Sequence, residues 1–507
     1  MGDGKISRLY HQATGLGSGR PPEPGVPGFV PSDPRTRPSP FKRYREVPVR
    51  DLPTGLSPGG APAVAALSGR VPPADGGLDL EFLARLLFFS AGITRTAEVQ
   101  EQTVWFRTAP AAGNRHPVEL YVAAGAIAGL ESGLYHFAPD VFGLEELSAG
   151  DCRPAVAKAA GAPEAAAVLV LTGIPWRTAW KYGERGLRYV YWDAGAVLAN
   201  ILTVAEAHGV RARVLLGFVD SALSRQLGID GTAEFPIAVV TLGGTDSPAG
   251  TGGCAPPLLA ATPEAPIEFP LITQVQRAGD LATAEEVAAW RMAAPTPMDV
   301  VDPPASAPDE PIESLILRRG STRRMRHGVV PAELLRWGMA VASRRLPADA
   351  VPVLSHQLAV HAVEGMEAGL YSHGRAEPYR TAPESEVRQV SQGLCRDQAL
   401  GGDSAFTDFI HSDLDRVLDA YGDRGYRVAQ LGAGVAAGRL QLAAFALGHG
   451  GTGLTFSDDD VAAAFGSRDS CMLAVSVGIP GYRAKPGGLP GRPTRLAWVV
   501  TSRQPRR

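Results

Sequence analysis

Lys181 and Tyr182 stand side by side in WKYGERGLRYVYWDAGAVLAN (residues 180–200), ahead of a glycine and an apolar, Ala/Gly-rich helical pattern. Each side chain holds its proton with a reference pKa of about 10, so neither is a useful base alone at neutral pH. Placed together they help each other: an ammonium stabilises a phenolate, and burial disfavours the ammonium. Such a pair can remove a proton from a substrate, with Tyr182 as the acceptor and Lys181 tuning it or exchanging roles with it. Without other support, the pair reads as a snorkelling lysine beside an interfacial tyrosine. A second concentration of chemistry is RRGSTRRMRHG (318–328), which holds five arginines. As an isolated run it reads as a solvated basic face or a nucleic-acid patch.

The elements that must position these groups recur. KYGERGLRYVYWDAGAVLANILTVAEAHGV (181–210) resembles AYGDRGYRVAQLGAGVAAGRLQLAAFALGHG (420–450) at a constant spacing of 239 residues. Tyr182, Gly183, Arg185, Gly186 and Arg188 answer Tyr421, Gly422, Arg424, Gly425 and Arg427. Gly133-Leu134-Tyr135 answers Gly369-Leu370-Tyr371, and PIAVVTLG (236–243) answers CMLAVSVG (471–478). Each copy predicts an amphipathic helix (LEFLARLLFFS; AELLRWGMAVA), then a strand (PVELYVAA; HQLAVHAV), the Gly-Leu-Tyr turn, a long small-residue helix and a final strand. The expected fold class is α+β, one unit repeated in tandem. The small residues of the long helix predict a close helix–helix contact between the copies.

A chain of 507 residues suggests about 2–4 domains. With 45% hydrophobic and 20% charged residues it can bury a core, and a net charge of −3 advertises neither nucleic acid nor a membrane surface as partner. Cys152, Cys254, Cys395 and Cys471 lie far apart with no C-x-x-C, so neither a zinc site nor a disulfide framework is expected. The start lacks a signal-peptide apolar region and no apolar run is long enough to span a bilayer, so a cytoplasmic location is expected. Gly/Pro-rich zones divide the chain into an N-terminal extension (1–77), a first domain (78–245), a linker (246–311) and a second domain (312–507).

Several stretches resemble the azoline dehydrogenases of the nitroreductase superfamily, the SagB/ThcOx type. RTAPAAGNRHPVELYV (107–122) is similar to the family's flavin-contacting Arg-x-x-Pro-Ser-Ala-Gly stretch and the strand after it. Ala111 replaces the usual Ser, which removes one hydroxyl contact. LLFFSAGITR (86–95) resembles the family's helix ending in a Gly-Ile-Thr turn, KYGERGLRY its Lys-Tyr motif, and TGLTFSDDDVAAAFG (452–466) its Gly-rich turn followed by acidic residues. YHQATG and PFKRY near the N-terminus match more weakly. The resemblance implies two tandem nitroreductase-like domains forming an intrachain pseudo-dimer with FMN between them. It implies oxidation of thiazolines or oxazolines to thiazoles or oxazoles in a ribosomally made precursor peptide, with oxygen as acceptor and a cyclodehydratase as a further partner.

Within that resemblance the arginine run changes meaning. Arg318, Arg319, Ser321 and Arg323 match the family's grip on the FMN phosphate, where a bidentate guanidinium suits a dianion. Arg483 and Lys485, just past the last strand, would reach the same group. Arg107, Pro110, Ala111, Ala112, Gly113 and Asn114 would contact the flavin, as would Gly453 and Leu454, and Lys181 and Tyr182 would be catalytic. The first copy has Ala65 and Ala66 in place of the leading arginines, although Ser68 and Arg70 remain. The second has RLPADAVP (345–352) for RTAPAAGN, and Ala420 for Lys181. These complementary losses predict one FMN site per chain, built from opposite halves, in a monomeric pseudo-dimer or a homodimer of it.

Two other functions stay open: an NAD(P)H-dependent nitro- or enone reductase, which does not need the Lys-Tyr pair, and a flavin-bound scaffold in a peptide-modifying complex. No metal is expected, because His116, His208 and His449 lack ligand spacing. GHGGTG (448–453) follows a helix, not a strand, and reads as a flavin-flanking turn instead of a dinucleotide fingerprint. GLGSGR (15–20) reads as loop. Thr283 with Glu286, and Ser457 with Asp460, read as capping boxes. Trp176 and Trp180 read as core or pocket wall.

Overall fold

The computed structural model describes residues 2–17, 33–74, 78–99, 102–162, 165–244, 254–255, 257, 266–291, 299–375 and 377–497. Residues 18–20 of the GLGSGR loop, most of 245–265 and the last ten residues lie outside these. The first half contains β1 (Val49–Asp51), β2 (Ile93–Val99), β3 (Gln102–Arg107), β4 (Val118–Ala124), β5 (Gly133–Ala138), β6 (Gly143–Ala149), β7 (Ala167–Gly173), β8 (Ala212–Leu215) and β9 (Phe235–Leu242). The second contains β10 (Met325–Arg326), β11 (Leu354–Val360), β12 (Gly369–Ser372), β13 (Arg380–Thr381), β14 (Phe406–Ser412), β15 (Gly450–Leu454), β16 (Ser470–Pro480) and β17 (Thr494–Leu496). The first sheet runs β1-β6-β5-β4-β7-β9-β8; the second runs β10-β16-β14-β11-β12-β13, with β15 also paired to β16. The spine β5-β4-β7-β9-β8 thus has the order of β12-β11-β14-β16-β15, and these ladders are antiparallel. Continuous apolar strands such as β7 (AVLVLTG) are buried along their length, as expected where both faces are covered.

Two long helices, Gly186–Ala207 and Gly425–Ala446, lie between the halves with almost every residue buried. They cross at Gly195 and Gly434, the same position in each helix. A Cβ on Gly195 would lie 2.6 Å from the Gly434 Cα and 2.5 Å from the Leu431 carbonyl oxygen, so backbones meet where only glycine fits. A crossing at equivalent residues is what a two-fold relation between halves requires. Each long helix is preceded by a short one, Pro175–Tyr182 or Leu414–Tyr421. Pro175 at the start of the first suits an N-terminal turn that needs no N–H partner. Lys181 and Tyr182 occupy its last two positions, a favourable place for a cation.

The regions expected to be extension and linker are built into this junction. The N-terminal helix Lys5–Ala13 places Ser7 N–H on Asp423 (2.7 Å), and Arg188 donates to the His11 carbonyl (2.6 Å). From the linker, the helix Pro270–Ala278 sets Ile272 N–H on Glu184 (3.0 Å) and accepts from Tyr191 through Gln276 (2.8 Å). The following helix Ala284–Trp290 starts with Thr283 accepting from Glu286 N–H (3.2 Å).

Two expectations are corrected. The cysteine spacing predicts no disulfide, yet Cys152 and Cys254 are joined, with Cα atoms 4.8 Å apart. Their separation of 102 residues hides a pairing made when the chain beyond β9 folds back on the first half. Ser457 precedes the helix Asp458–Phe465 but makes no side-chain cap bond. Instead Asp458 takes ion pairs from Arg185 (2.9 Å) and Arg188 (2.6 Å) of the other half. No helix among the described residues is long and apolar enough to cross a membrane.

Candidate active site

One cleft at the junction holds the Lys-Tyr pair. The Lys181 Nζ lies 5.2 Å from the centre of the Tyr182 ring, which stacks on Tyr189 at 4.2 Å. Both tips reach over Gly113. Its φ is +58°, and a Cβ there would sit 2.6 Å from the Tyr182 Oη and 2.9 Å from the Lys181 Nζ. The positive φ favours glycine here, and any side chain would have to displace the tips of Lys181 and Tyr182. The neighbouring Ala112 N–H donates to both oxygens of Asp193 (2.9 and 3.1 Å), one turn beyond Tyr189. Burial holds the Asp193 carboxyl well above the usual carboxylate range.

The pair's proton affinities are pushed in opposite directions. Burial, then the charges of Arg115 and Arg323, lower the Lys181 ammonium below the ordinary lysine value. Burial, then Tyr189 and Asp193, raise the Tyr182 phenol. Both shifts run toward the neutral forms, although the Lys181 side chain remains exposed to solvent.

The second half closes the cleft from the opposite side. Arg319 is buried; its Nη2 donates to the Thr108 carbonyl (2.5 Å), while its Nε and Nη1 make no hydrogen bond. Burial, with Arg95 nearby, pushes its pKa down to about 9. Thr322 N–H donates to the Gly451 carbonyl (3.2 Å), which joins the 319–323 segment to β15. Arg323 is exposed, with its N–H on the Tyr482 hydroxyl (3.1 Å), and Ser321 is half-buried. Gly453 is exposed and Leu454 buried; GHGGTG therefore becomes a helix end followed by a strand. The Tyr189 hydroxyl lies 3.5 Å from Thr455 Oγ1, a contact across the halves.

Several expected contacts are placed elsewhere. Arg318 forks onto Glu310 (3.1 and 2.6 Å) and donates to the Phe445 carbonyl (2.8 Å), so its charge is already spent. Arg107 donates to the Pro40 carbonyl (2.9 Å), and Asn114 bonds the Trp105 carbonyl and His116 (both 2.9 Å). Arg107 thus serves the segment 33–44, and Asn114 ties the end of β3 to His116. Arg483 and Lys485 are exposed; the Lys485 carbonyl accepts from Arg95 (3.0 Å). Pro110 and Ala111 are half-buried beside Ala112. Asp193, Tyr189 and Arg319's solitary role are not evident from the pattern alone. One signal for Asp193 exists: it is a carboxylate within an apolar helix, and its counterpart is Gly432.

The second cleft, related to the first by the helix crossing, is filled. Asp349, at the place of Ala111, accepts from Leu216 N–H (2.7 Å) and Gly217 N–H (3.2 Å) and pairs with Arg291 (2.7 Å). The fully buried Trp290 lays its ring 5.1 Å from that of Tyr421 and donates Nε1–H to the Tyr421 carbonyl (3.0 Å). No group of three or more potential metal ligands occurs among the described residues.

Residues 84–244 match the model of the nitroreductase family. A nitroreductase-type protein of Methanocaldococcus jannaschii is 29% identical over 170 residues, covering 33% of this chain and 81% of its own. The crystal structure of a nitroreductase-type protein from Anabaena variabilis shares the fold over both halves. It aligns with a TM-score of 0.74 and 24% identity across 94% of this chain and 99% of that one.

Proposed function

We propose that the chain is an FMN-dependent azoline dehydrogenase that oxidises thiazoline or oxazoline rings in a ribosomally made peptide. Two tandem nitroreductase-like copies would give one working site per chain. The supporting observation is the meeting of Lys181 and Tyr182 over Gly113 in one half, with the charge of Arg323 from the other half acting on both and Arg319 donating to the Thr108 carbonyl.

The residues fit FMN. A buried guanidinium with two unpaired donors, Arg319, is costly alone and suits an anionic group such as a phosphate. Ser321 and Arg323 would assist, with Arg483 and Lys485 further out, while Pro110–Gly113 and Gly453–Leu454 would supply backbone walls. Bound FMN supplies a hydride acceptor. The chain's own task is the proton. An azoline C–H is acidic because its anion conjugates with the C=N bond and the adjacent carbonyl. Lys181 takes this proton in its neutral form, toward which partial burial and the charges of Arg115 and Arg323 shift it. Tyr182 keeps its proton and offers a hydrogen bond at the same place. The precursor peptide and the cyclodehydratase that makes the azoline would be partners, and dioxygen the final acceptor.

Absorbance of the purified protein tests the cofactor and its stoichiometry, expected at one FMN per chain. Mass spectrometry of a thiazoline peptide tests the reaction, expected as loss of two hydrogens that Lys181→Met abolishes. The names of the relatives favour a second reading, reduction of a nitro group at the expense of NAD(P)H. Rapid bleaching by NADPH, with Lys181→Met fully active, would establish that reading instead.

A further inference from the structure

A cavity of about 40 Å³ lies beside the cleft, under residues 37–41. This segment is tied down along its length. Trp180 donates to the Asp33 carbonyl (3.0 Å), Arg177 to Ser39 (3.0 Å) and Arg107 to Pro40 (2.9 Å). Beyond it, buried Lys42 pairs with Glu234 (2.5 Å) and bonds Tyr121 (2.7 Å). Arg37, Arg107, Arg115 and Arg177 all line the cavity, together with Trp105 and Asn114.

The charges around the cavity do not balance. Glu119 is the one carboxylate paired with this group among the described residues, and it already holds Arg177 (2.5 Å) and His136 (3.3 Å). Arg107 feels the charges of Glu119 and, more weakly, Asp140 without pairing to either, and among the described residues Arg37 and Arg115 make no ion pair. Arg107 is only 6% exposed, and burial pushes its pKa down to about 10. Burial and the surrounding arginines keep His116 well below its usual value, so it is neutral and changes nothing. Buried positive charge without a counter-charge is costly. Planar guanidinium groups around a space this small suit a carboxylate, which they can bind two oxygens at a time. The cavity also borders the cleft. The Arg115 guanidinium lies 5.2 Å over the ring of Trp180, the residue before Lys181, and its charge is felt by both Lys181 and Tyr182.

We propose that this arginine-lined cavity is a carboxylate subsite that anchors the molecule reacting in the adjoining cleft. The substrate then carries a free carboxylate, from a chain terminus or an acidic side chain, close to the ring that is oxidised. The subsite stands on the cavity and its unpaired arginines; assigning the carboxylate to the substrate rests on the proposed function.

Two measurements on the FMN-loaded protein test it. In the first, acetate, acetamide, phosphate and chloride are titrated while tryptophan fluorescence is followed, since Trp105 lines the cavity and the lining residue Arg115 lies over the ring of Trp180. A saturable response to acetate, absent with acetamide and weakened about tenfold in Arg115→Gln and Arg37→Gln, is expected. No response to acetate, or a response to phosphate or chloride at least as tight, overturns the carboxylate subsite. In the second, a thiazoline peptide with a carboxylate next to the ring is compared with its carboxamide. KM should be about tenfold lower for the carboxylate, with kcat similar, and Arg115→Gln should erase the preference. Equal KM values for the two peptides overturn the assignment to substrate. If neither peptide is oxidised while acetate still binds, the proposed function fails and the subsite remains.

Discussion

Over Gly113 the tips of Lys181 and Tyr182 lean across a residue without a side chain. The matching residue in the other cleft is Val351, and there Tyr421 is occupied in accepting the Val351 N–H (3.0 Å). Ala111 leaves one wall bare where Asp349 binds Leu216, Gly217 and Arg291 across the gap. The edge strand shows the same contrast. Val214 N–H is bonded to the Pro347 carbonyl (2.9 Å), whereas its counterpart Gly453 remains exposed. The two halves share their strand order, and a handful of side chains fills the second cleft. Trp290 takes the space that would otherwise be a void, and an unfilled cavity of that size would cost several kcal/mol of packing.

The sharpest way to break this contrast is to alter the reactive side chains in each cleft. Lys181→Met should lower turnover by about 10²–10⁴-fold in steady-state kinetics. Ala420→Lys, its counterpart, should leave turnover unchanged; equal effects would make the clefts equivalent. Next, Trp290→Ala should cost about 3–5 kcal/mol in denaturant unfolding without changing the FMN content per chain. A second equivalent of flavin in that variant would show that the indole alone keeps the other cleft closed.

Smaller effects sharpen the picture of the open cleft. Arg319→Leu should weaken FMN binding by roughly 10–100-fold in equilibrium dialysis, because it removes a charged donor from a buried site. Arg318→Ala should change it by less than about threefold, since its charge is already neutralised by Glu310. Last comes pH. Lys181 must be neutral to accept a proton, so turnover should rise with pH through its depressed pKa. Removing a neighbouring positive charge restores the ammonium. Arg323→Gln, assayed with FMN saturating, should therefore move the rising limb of the profile to higher pH.

Much of the scaffold was legible because it is written as a pattern. The spacing of 239 residues marks both long helices, and Gly195 and Gly434 share it at the crossing. The Lys-Tyr pair could be singled out because the two residues are adjacent and one has no counterpart in the other copy. Side-chain destinations were less legible. Nothing local distinguishes Arg318 from Arg319, yet one turns to Glu310 and the other is buried against Thr108. Arg107 stands in a flavin-like motif but is claimed by a segment some seventy residues away, and Asn114 by its near neighbours Trp105 and His116. The helix ending at Trp290 has only seven residues, too few for a periodicity to reveal which surface it fills.

β17 pairs in parallel with β2, and Arg95 bonds the carbonyl of Lys485, 390 residues further along. The hairpin that borders the open cleft leaves the ribosome nearly four hundred residues before its third strand. At translation speeds of about 5–20 residues per second, that edge waits some tens of seconds for its neighbour. That edge of the hairpin is therefore completed only after residues 494–496 have been made, and a chain stalled before them would leave β2 without its outer neighbour.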